Sequence, residues 1–206
     1  GSGREGEDSV IFGGGEVRSF TEFRELAERI IVVDSVSKRF NACGVRIGCM
    51  ATKNREILDV ALRFCQARLS VPTAEQLMVV PMLTGGRDYS QRLCGEYERR
   101  RDAVFNGLSK IDGVSPHLSE GSFYTMTRLP IDSCEDFAVF LLRDVSVEGE
   151  TVCLAPGEGF YVSSNLGVDE VRIAFMYDAD TLARSMRILD AAVAAYPGKV
   201  TAAMNV

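Results

Sequence analysis

The segment best equipped for chemistry is Ser35-x-Ser37-Lys38, followed by Gly44-x-Arg46-x-Gly48. A lysine directly after two hydroxyl residues on a tight turn offers an amine that can condense with an aldehyde. Arg46, returning on what reads as the next strand, adds a planar fork suited to a phosphate dianion. The amine must lose its proton to act, so nearby positive charge and partial burial are expected to lower the pKa of Lys38. The plainer alternative is a polar turn between two strands that binds nothing.

Three later segments bear on the choice. Glu120-Gly121-Ser122-Phe123-Tyr124 is a strand start with a glycine-small-aromatic pattern, and Ala155-Pro156-Gly157-Glu158-Gly159-Phe160 is a Pro/Gly turn ending in an aromatic. Val171-Arg172-Ile173-Ala174-Phe175 sets an arginine inside an apolar strand, which is costly unless the guanidinium meets an anion. The plain reading of Arg172 is an outward-facing charge on an alternating strand.

Together, and in this order, these segments resemble the class I/II aminotransferases of fold type I, which depend on pyridoxal 5'-phosphate. The likeness begins at the Ser35–Lys38 turn and includes Phe40 two residues after the lysine. It implies that Lys38 holds the cofactor as a Schiff base and moves the 1,3-proton. It implies that Ser35, Ser37 and Arg46 bind the cofactor and that Arg172 grips the substrate α-carboxylate. The reaction implied is amino-group transfer between an amino acid and a 2-oxo acid, in a homodimer with sites near the subunit interface.

The pattern departs from the family in places. Tyr161 stands where many relatives have glycine. Counting back from Lys38 by the family's spacing, the aspartate and tyrosine expected around the pyridine ring fall near Arg4 and Glu7, which cannot serve; Asp8 lies too close to Lys38. The resemblance thus implies the C-terminal half of an enzyme: a partial α/β large-domain piece, then a small α+β domain, inactive alone. A non-catalytic aminotransferase-like binding or regulatory module is the alternative. Arg68, near where dicarboxylate-specific relatives place a second arginine, leans the substrate towards aspartate.

The composition fits a globular chain: 206 residues, 46% hydrophobic and 25% charged. The net charge of −6 argues against nucleic acid and anionic membrane as partners. No apolar run approaches the roughly 20 residues of a membrane helix. Six cysteines without a C-x-x-C pair, and the single histidine His117, make a metal site unexpected. Most of the cysteines are expected to be buried as small hydrophobes, in a reducing, cytoplasmic compartment.

The elements that must position these residues follow from pattern. Residues 21–29 read as a short surface helix. Ile30-Ile31-Val32-Val33 reads as a strand of the kind buried on both faces of a parallel sheet, with the chemistry at its C-terminal end. Such strands are too few here to cover that sheet, so apolar faces and open edges are expected to be exposed. Residues 45–51 read as a second strand. Helices are expected over 54–69 with Asn54 as cap, from a capping box at Thr73-Ala74-Glu75-Gln76 to Gly85-Gly86, and over 88–111, where the charges of 96–102 form a solvated face. Beyond Asp112-Gly113, strands are expected at 114–118, 122–129, 151–155 and 170–176. Helices follow at 134–144, capped by Ser133, and 180–196, capped by Asp178 or Asp180. The expected division is 1–110, 111–198 and a loose tail at 199–206.

Overall fold

The elements are those of a computed structural model that describes residues 11–13, 19–85 and 87–200. Arg4, Glu7 and Asp8, Gly86 and residues 201–206 lie outside the described residues. The chain divides into two compact units, Gly1–Cys94 and Gly95–Val206. The division falls within a long helix rather than after it, near residue 110.

In the first unit, residues 21–29 do not form an α-helix. They make two short 3-10 segments, Phe20–Glu22 and Arg24–Leu26, the first closed by a reciprocal cap between Ser19 and Glu22. Strand β1, Ile31–Ser35, pairs antiparallel with β2, Gly48–Thr52, in the register Ile31↔Thr52 to Ser35↔Gly48. The antiparallel pairing corrects the expectation of a parallel sheet. Among the described residues the ribbon has two strands and no parallel neighbour, and two strands cannot cover both of their own faces. Val33 is accordingly 77% exposed, as expected of a sheet with too few strands.

The crossover between β1 and β2 carries α1, the single turn Val36–Arg39, and a 3-10 turn at Cys43–Val45. Its core is Val36, Phe40 and Val79, with Ala42, Val45, Ile47 and Met82 packed against them. Helix α2, Arg55–Ala67, starts where Asn54 accepts from the amide of Ile57. Helix α3, Thr73–Gly85, does not use the expected capping box. Thr73 is already its first residue, and the Gln76 side chain instead donates to the carbonyl of Val71. Apolar side chains of this unit stand in solvent, among them Val60, Phe64, Leu77 and Val80.

Helix α4, Arg87–Leu108, is long, as the pattern requires. Its charged stretch is only in part a solvated face: Tyr97 and Arg101 are buried, and Arg101 pairs with Glu98 and Asp102 and donates to the carbonyl of Ser119. Arg100 binds Glu96 at 2.8 Å and reaches the carbonyls of Phe175 and Met176.

The second unit carries a three-stranded antiparallel sheet in the order β3-β5-β4: Tyr124–Arg128, Glu170–Ala174 and Ala155–Pro156. Residues 114–118 are irregular, and of 151–155 only Ala155 enters a strand. Alternation gives the sheet a buried face of Thr125, Thr127, Val171 and Ile173 and an outer face of Tyr124, Met126, Arg128 and Arg172. Helix α5, Cys134–Arg143, and helix α6, Ala179–Ala195, bury Phe137, Leu141, Leu182, Met186, Leu189 and Val193. Both begin on the expected caps: Ser133 accepts from the amide of Asp136 and Asp178 from that of Thr181. Tyr196 closes the end of this core against the rings of Phe137 and Phe140. Lys199 and Val200 are not loose: Val200 donates to the carbonyl of Pro130 at 3.0 Å, and Lys199 bridges Ile131.

The expectation of buried cysteines is also corrected. Cys134 is buried and Cys94 half-buried, whereas Cys43, Cys49, Cys65 and Cys153 are exposed. The apolar neighbours that suggested burial are themselves exposed, as Val33 and Phe64 show. Among the described residues no helix is long and apolar enough to cross a membrane.

Candidate active site

The Ser35–Lys38 turn is built by its own side chains. Ser35 leaves β1 in extended conformation and caps α1, its Oγ accepting from the amide of Ser37 at 3.1 Å. The same oxygen lies 2.9 Å from Ser37 Oγ and 3.1 Å from the carbonyl of Ile47, which ties the turn to the returning chain. Ser37 Oγ, an acceptor from Ser35, keeps its own proton to give. Phe40 is core: it is buried against Val36 and Val79, and its carbonyl accepts from Tyr89 Oη at 3.0 Å. That anchor fixes the turn from below.

Gly48 matters for a steric reason. A Cβ there would meet the carbonyl oxygen of Asp34 at 2.8 Å, so only glycine lets β2 come this close to β1 beside Ser35. Gly44 has open space around it and faces no such demand.

Arg46 does not return on a strand. It sits between the 3-10 turn and β2 in left-handed conformation, φ 59°, which costs a non-glycine residue about 1–2 kcal/mol. Its Nη1 donates to the carbonyl of Cys43 at 2.8 Å. A guanidinium has five N–H donors, so most of the fork remains available.

Ser35, Ser37 and Arg46 are brought together. With Asp34, Ile47, Gly48 and Cys49 they line one open depression of about 400 Å³. Lys38 is the next residue along α1 but is not part of that lining, and it is exposed where partial burial was expected. The Ser37 hydroxyl and the Arg46 guanidinium, beside a hollow lined by Gly48, form a donor set that fits a phosphate, while the single Ser35 proton is given within the turn.

Arg172 belongs to the second unit. It is half-buried on the outer face of β5, opposite the buried Val171 and Ile173, so the surroundings assumed from the apolar sequence are those of the other face. Its guanidinium lies 4.6 Å from the ring centroid of Phe160 and 5.1 Å from that of Tyr124. Such contacts are worth about 0.5–1 kcal/mol each at exposed sites and leave the fork's edges free for an anion.

The loop carrying Phe160 is held to the same strand. The amide of Gly157 donates to the carbonyl of Glu170 at 2.8 Å, and a Cβ on Gly157 would meet that oxygen at 2.5 Å. Tyr161, the departure from the family pattern, donates to Glu170 and packs on Gly167. The Glu170 carboxylate holds its phenol above the ordinary tyrosine range.

Sequence reasoning missed two arrangements. The rings of Tyr124 and Phe160 flank Arg172, and the alternation of paired β3 and β5, with Arg172 opposite Met126, would have put Tyr124 on its face. Asp34 and Arg39, which flank the Ser-x-Ser-Lys turn, form an ion pair at 2.8 Å. Their opposite charges were the available signal.

The family model for aminotransferase class I and II matches residues 10–189, and the chain belongs to that family. It is 31% identical over 152 residues to an aspartate aminotransferase of Rhizobium meliloti, covering 67% of this chain and 35% of that protein. It is 32% identical over 156 residues to an LL-diaminopimelate aminotransferase of Dehalococcoides mccartyi, covering 75% and 38%. Among solved structures, the Rhizobium meliloti aspartate aminotransferase superposes with a TM-score of 0.75 at 26% identity, over 89% of this chain and 46% of that one. The N-succinyldiaminopimelate aminotransferase of Mycobacterium tuberculosis gives 0.76 at 26% identity, over 90% and 48%. The chain shares the α/β fold of these enzymes and spans less than half the length of each.

Proposed function

We propose that this chain is the C-terminal half of a cytoplasmic, pyridoxal 5'-phosphate-dependent aminotransferase that acts as a homodimer on an amino acid and a 2-oxo acid. Residues 1–110 would complete the cofactor-binding large domain, and 111–198 would form the small α+β domain. The observation that carries the reading is the depression where Ser35, Ser37 and Arg46 meet beside Lys38, in a chain of the aminotransferase family. The exposed apolar side chains of the first unit support a larger domain around it. Six unpaired cysteines, four of them exposed, suit a reducing compartment.

The cofactor, when bound, supplies an electrophilic carbonyl and an electron-withdrawing ring. Ser37 Oγ and the free N–H groups of Arg46 would hold its phosphate, and Ser35 keeps Ser37 in place. Lys38 Nζ would hold the cofactor's carbonyl carbon and, once released by the substrate amine, would serve as the group that accepts and returns a proton. Arg172, its plane kept by Phe160 and Tyr124, receives the substrate carboxylate along its free edge. We expect this chain by itself to transfer no amino groups.

The test is a spectral titration with pyridoxal 5'-phosphate. The wild-type chain should develop the visible band of a lysine-bound cofactor, weakly, and Lys38→Ala should lose it. An unchanged band in Lys38→Ala would refute the assignment.

A further inference from the structure

We propose that Arg39 is a positioning residue that makes the depression receptive to a phosphate by neutralising Asp34; this rests on the cofactor-phosphate reading above. Asp34 is part of the wall that Ser35, Ser37 and Arg46 form. An acidic side chain is an unfavourable neighbour for a dianion, and this one has a structural duty that keeps it there. Its Oδ1 accepts from the amide of Ser35 at 2.7 Å, fixing the corner where β1 becomes α1. Its Oδ2 accepts from Arg39 Nη2 at 2.8 Å.

Arg39 follows Lys38 at the end of α1, so the short helix that presents the amine also returns a guanidinium onto the carboxylate. A hollow of about 400 Å³ keeps Asp34 and a bound phosphate within about one Debye length, some 8 Å at physiological ionic strength. Repulsion between them is therefore felt unless Asp34 is paired. Asp34 and Arg39 are 42% and 26% exposed, so the effect is moderate. Arg46 supplies attraction, and the Asp34–Arg39 pair decides how much of it is cancelled.

Inorganic phosphate is the probe, titrated into the full chain at low ionic strength while the amide resonances of Ser35, Ser37 and Gly48 are followed. Arg39→Ala should weaken phosphate binding roughly three- to fivefold, the range open to a solvent-exposed pair. Asp34→Asn, which keeps an oxygen for the Ser35 amide, should tighten it by a similar factor. The double variant should return close to wild type, and about 1 M chloride should erase all the differences.

A purely structural pair would give a different sign: both single variants would weaken binding and the double variant would not recover. That result, or no change in either single variant, overturns the inference. The underlying reading has its own control. If phosphate does not move the wild-type resonances, or if Arg46→Ala leaves the response intact, the cofactor-phosphate site is itself refuted and this inference falls with it.

Discussion

Adding one methyl group at Gly157 tests how the Arg172 face is held. The backbone at Gly157 is right-handed helical, φ −81° and ψ −30°, a conformation that alanine adopts freely. On conformational grounds alone, Gly157→Ala should stabilise the folded chain by about 0.4–1 kcal/mol. Packing opposes this. The new Cβ would lie 2.5 Å from the carbonyl oxygen of Glu170 and 2.8 Å from its carbonyl carbon. Those atoms belong to β5, which is paired on both sides, so they cannot swing away as a side-chain end would. Relieving the contact means moving the loop and lengthening the bond from the Gly157 amide to Glu170. Overpacking of this kind costs about 1–3 kcal/mol, so the steric effect wins and the net change is about 1–2 kcal/mol of destabilisation. Gly159, two residues on, meets nothing within 4 Å, and Gly159→Ala should be neutral or slightly stabilising. Urea denaturation of the two variants, followed by far-UV circular dichroism, measures both. A Gly157→Ala chain as stable as wild type would refute the close approach of loop and strand, and with it the seat of Phe160 beside Arg172.

Other consequences can be measured separately. In the complete enzyme, Arg172→Ala should lower kcat/KM for every amino acid substrate by about 3 kcal/mol, and Arg172→Lys should also be poor because an ammonium cannot reproduce the fork; steady-state kinetics that leave both unchanged would return Arg172 to a surface role. Burial, with help from Asp132, pushes the Tyr196 phenol up to about 12 from an ordinary value of 10.0. Its contribution to stability is therefore full below pH 10 and is lost as the pH rises towards about 12; denaturation curves should show this alkaline decline, and Tyr196→Phe should flatten it. Hydrogen exchange should be slow in β3 and β5, where Val171 and Ile173 are buried, and faster in the β1–β2 ribbon with its exposed Val33. Equal protection would mean that the ribbon is better covered than its exposure suggests.

Local chemistry was legible in the sequence and long-range pairing was not. Asn54, Ser133 and Asp178 were readable as caps because an N-cap needs only a side-chain oxygen and the amide three residues on. The grouping of Ser35, Ser37 and Arg46 was readable because one short crossover holds all three. Arg46 was misplaced by a few residues, since nothing in its identity announces a left-handed conformation. Ile30-Ile31-Val32-Val33 was readable as a strand with open faces, but its pairing was not, because a strand's partners are distant in sequence. The charged run at 96–102 misled in its burial: Arg101 is buried because Glu98, Asp102 and the carbonyl of Ser119 satisfy it. Thr73 resembled a cap, but the helix already has its turn one residue earlier, where the carbonyl of Pro72 accepts from Gln76.

The role of Lys38 is tested most directly by borohydride reduction of the chain in the presence of pyridoxal 5'-phosphate, followed by proteolysis and mass spectrometry of the pyridoxyl-labelled peptides. The label should be found on Lys38, in preference to the exposed Lys53 and Lys110, and Arg46→Ala should reduce its yield. A label spread evenly over the lysines, or concentrated on one other than Lys38, would contradict the assignment of this turn as the cofactor site.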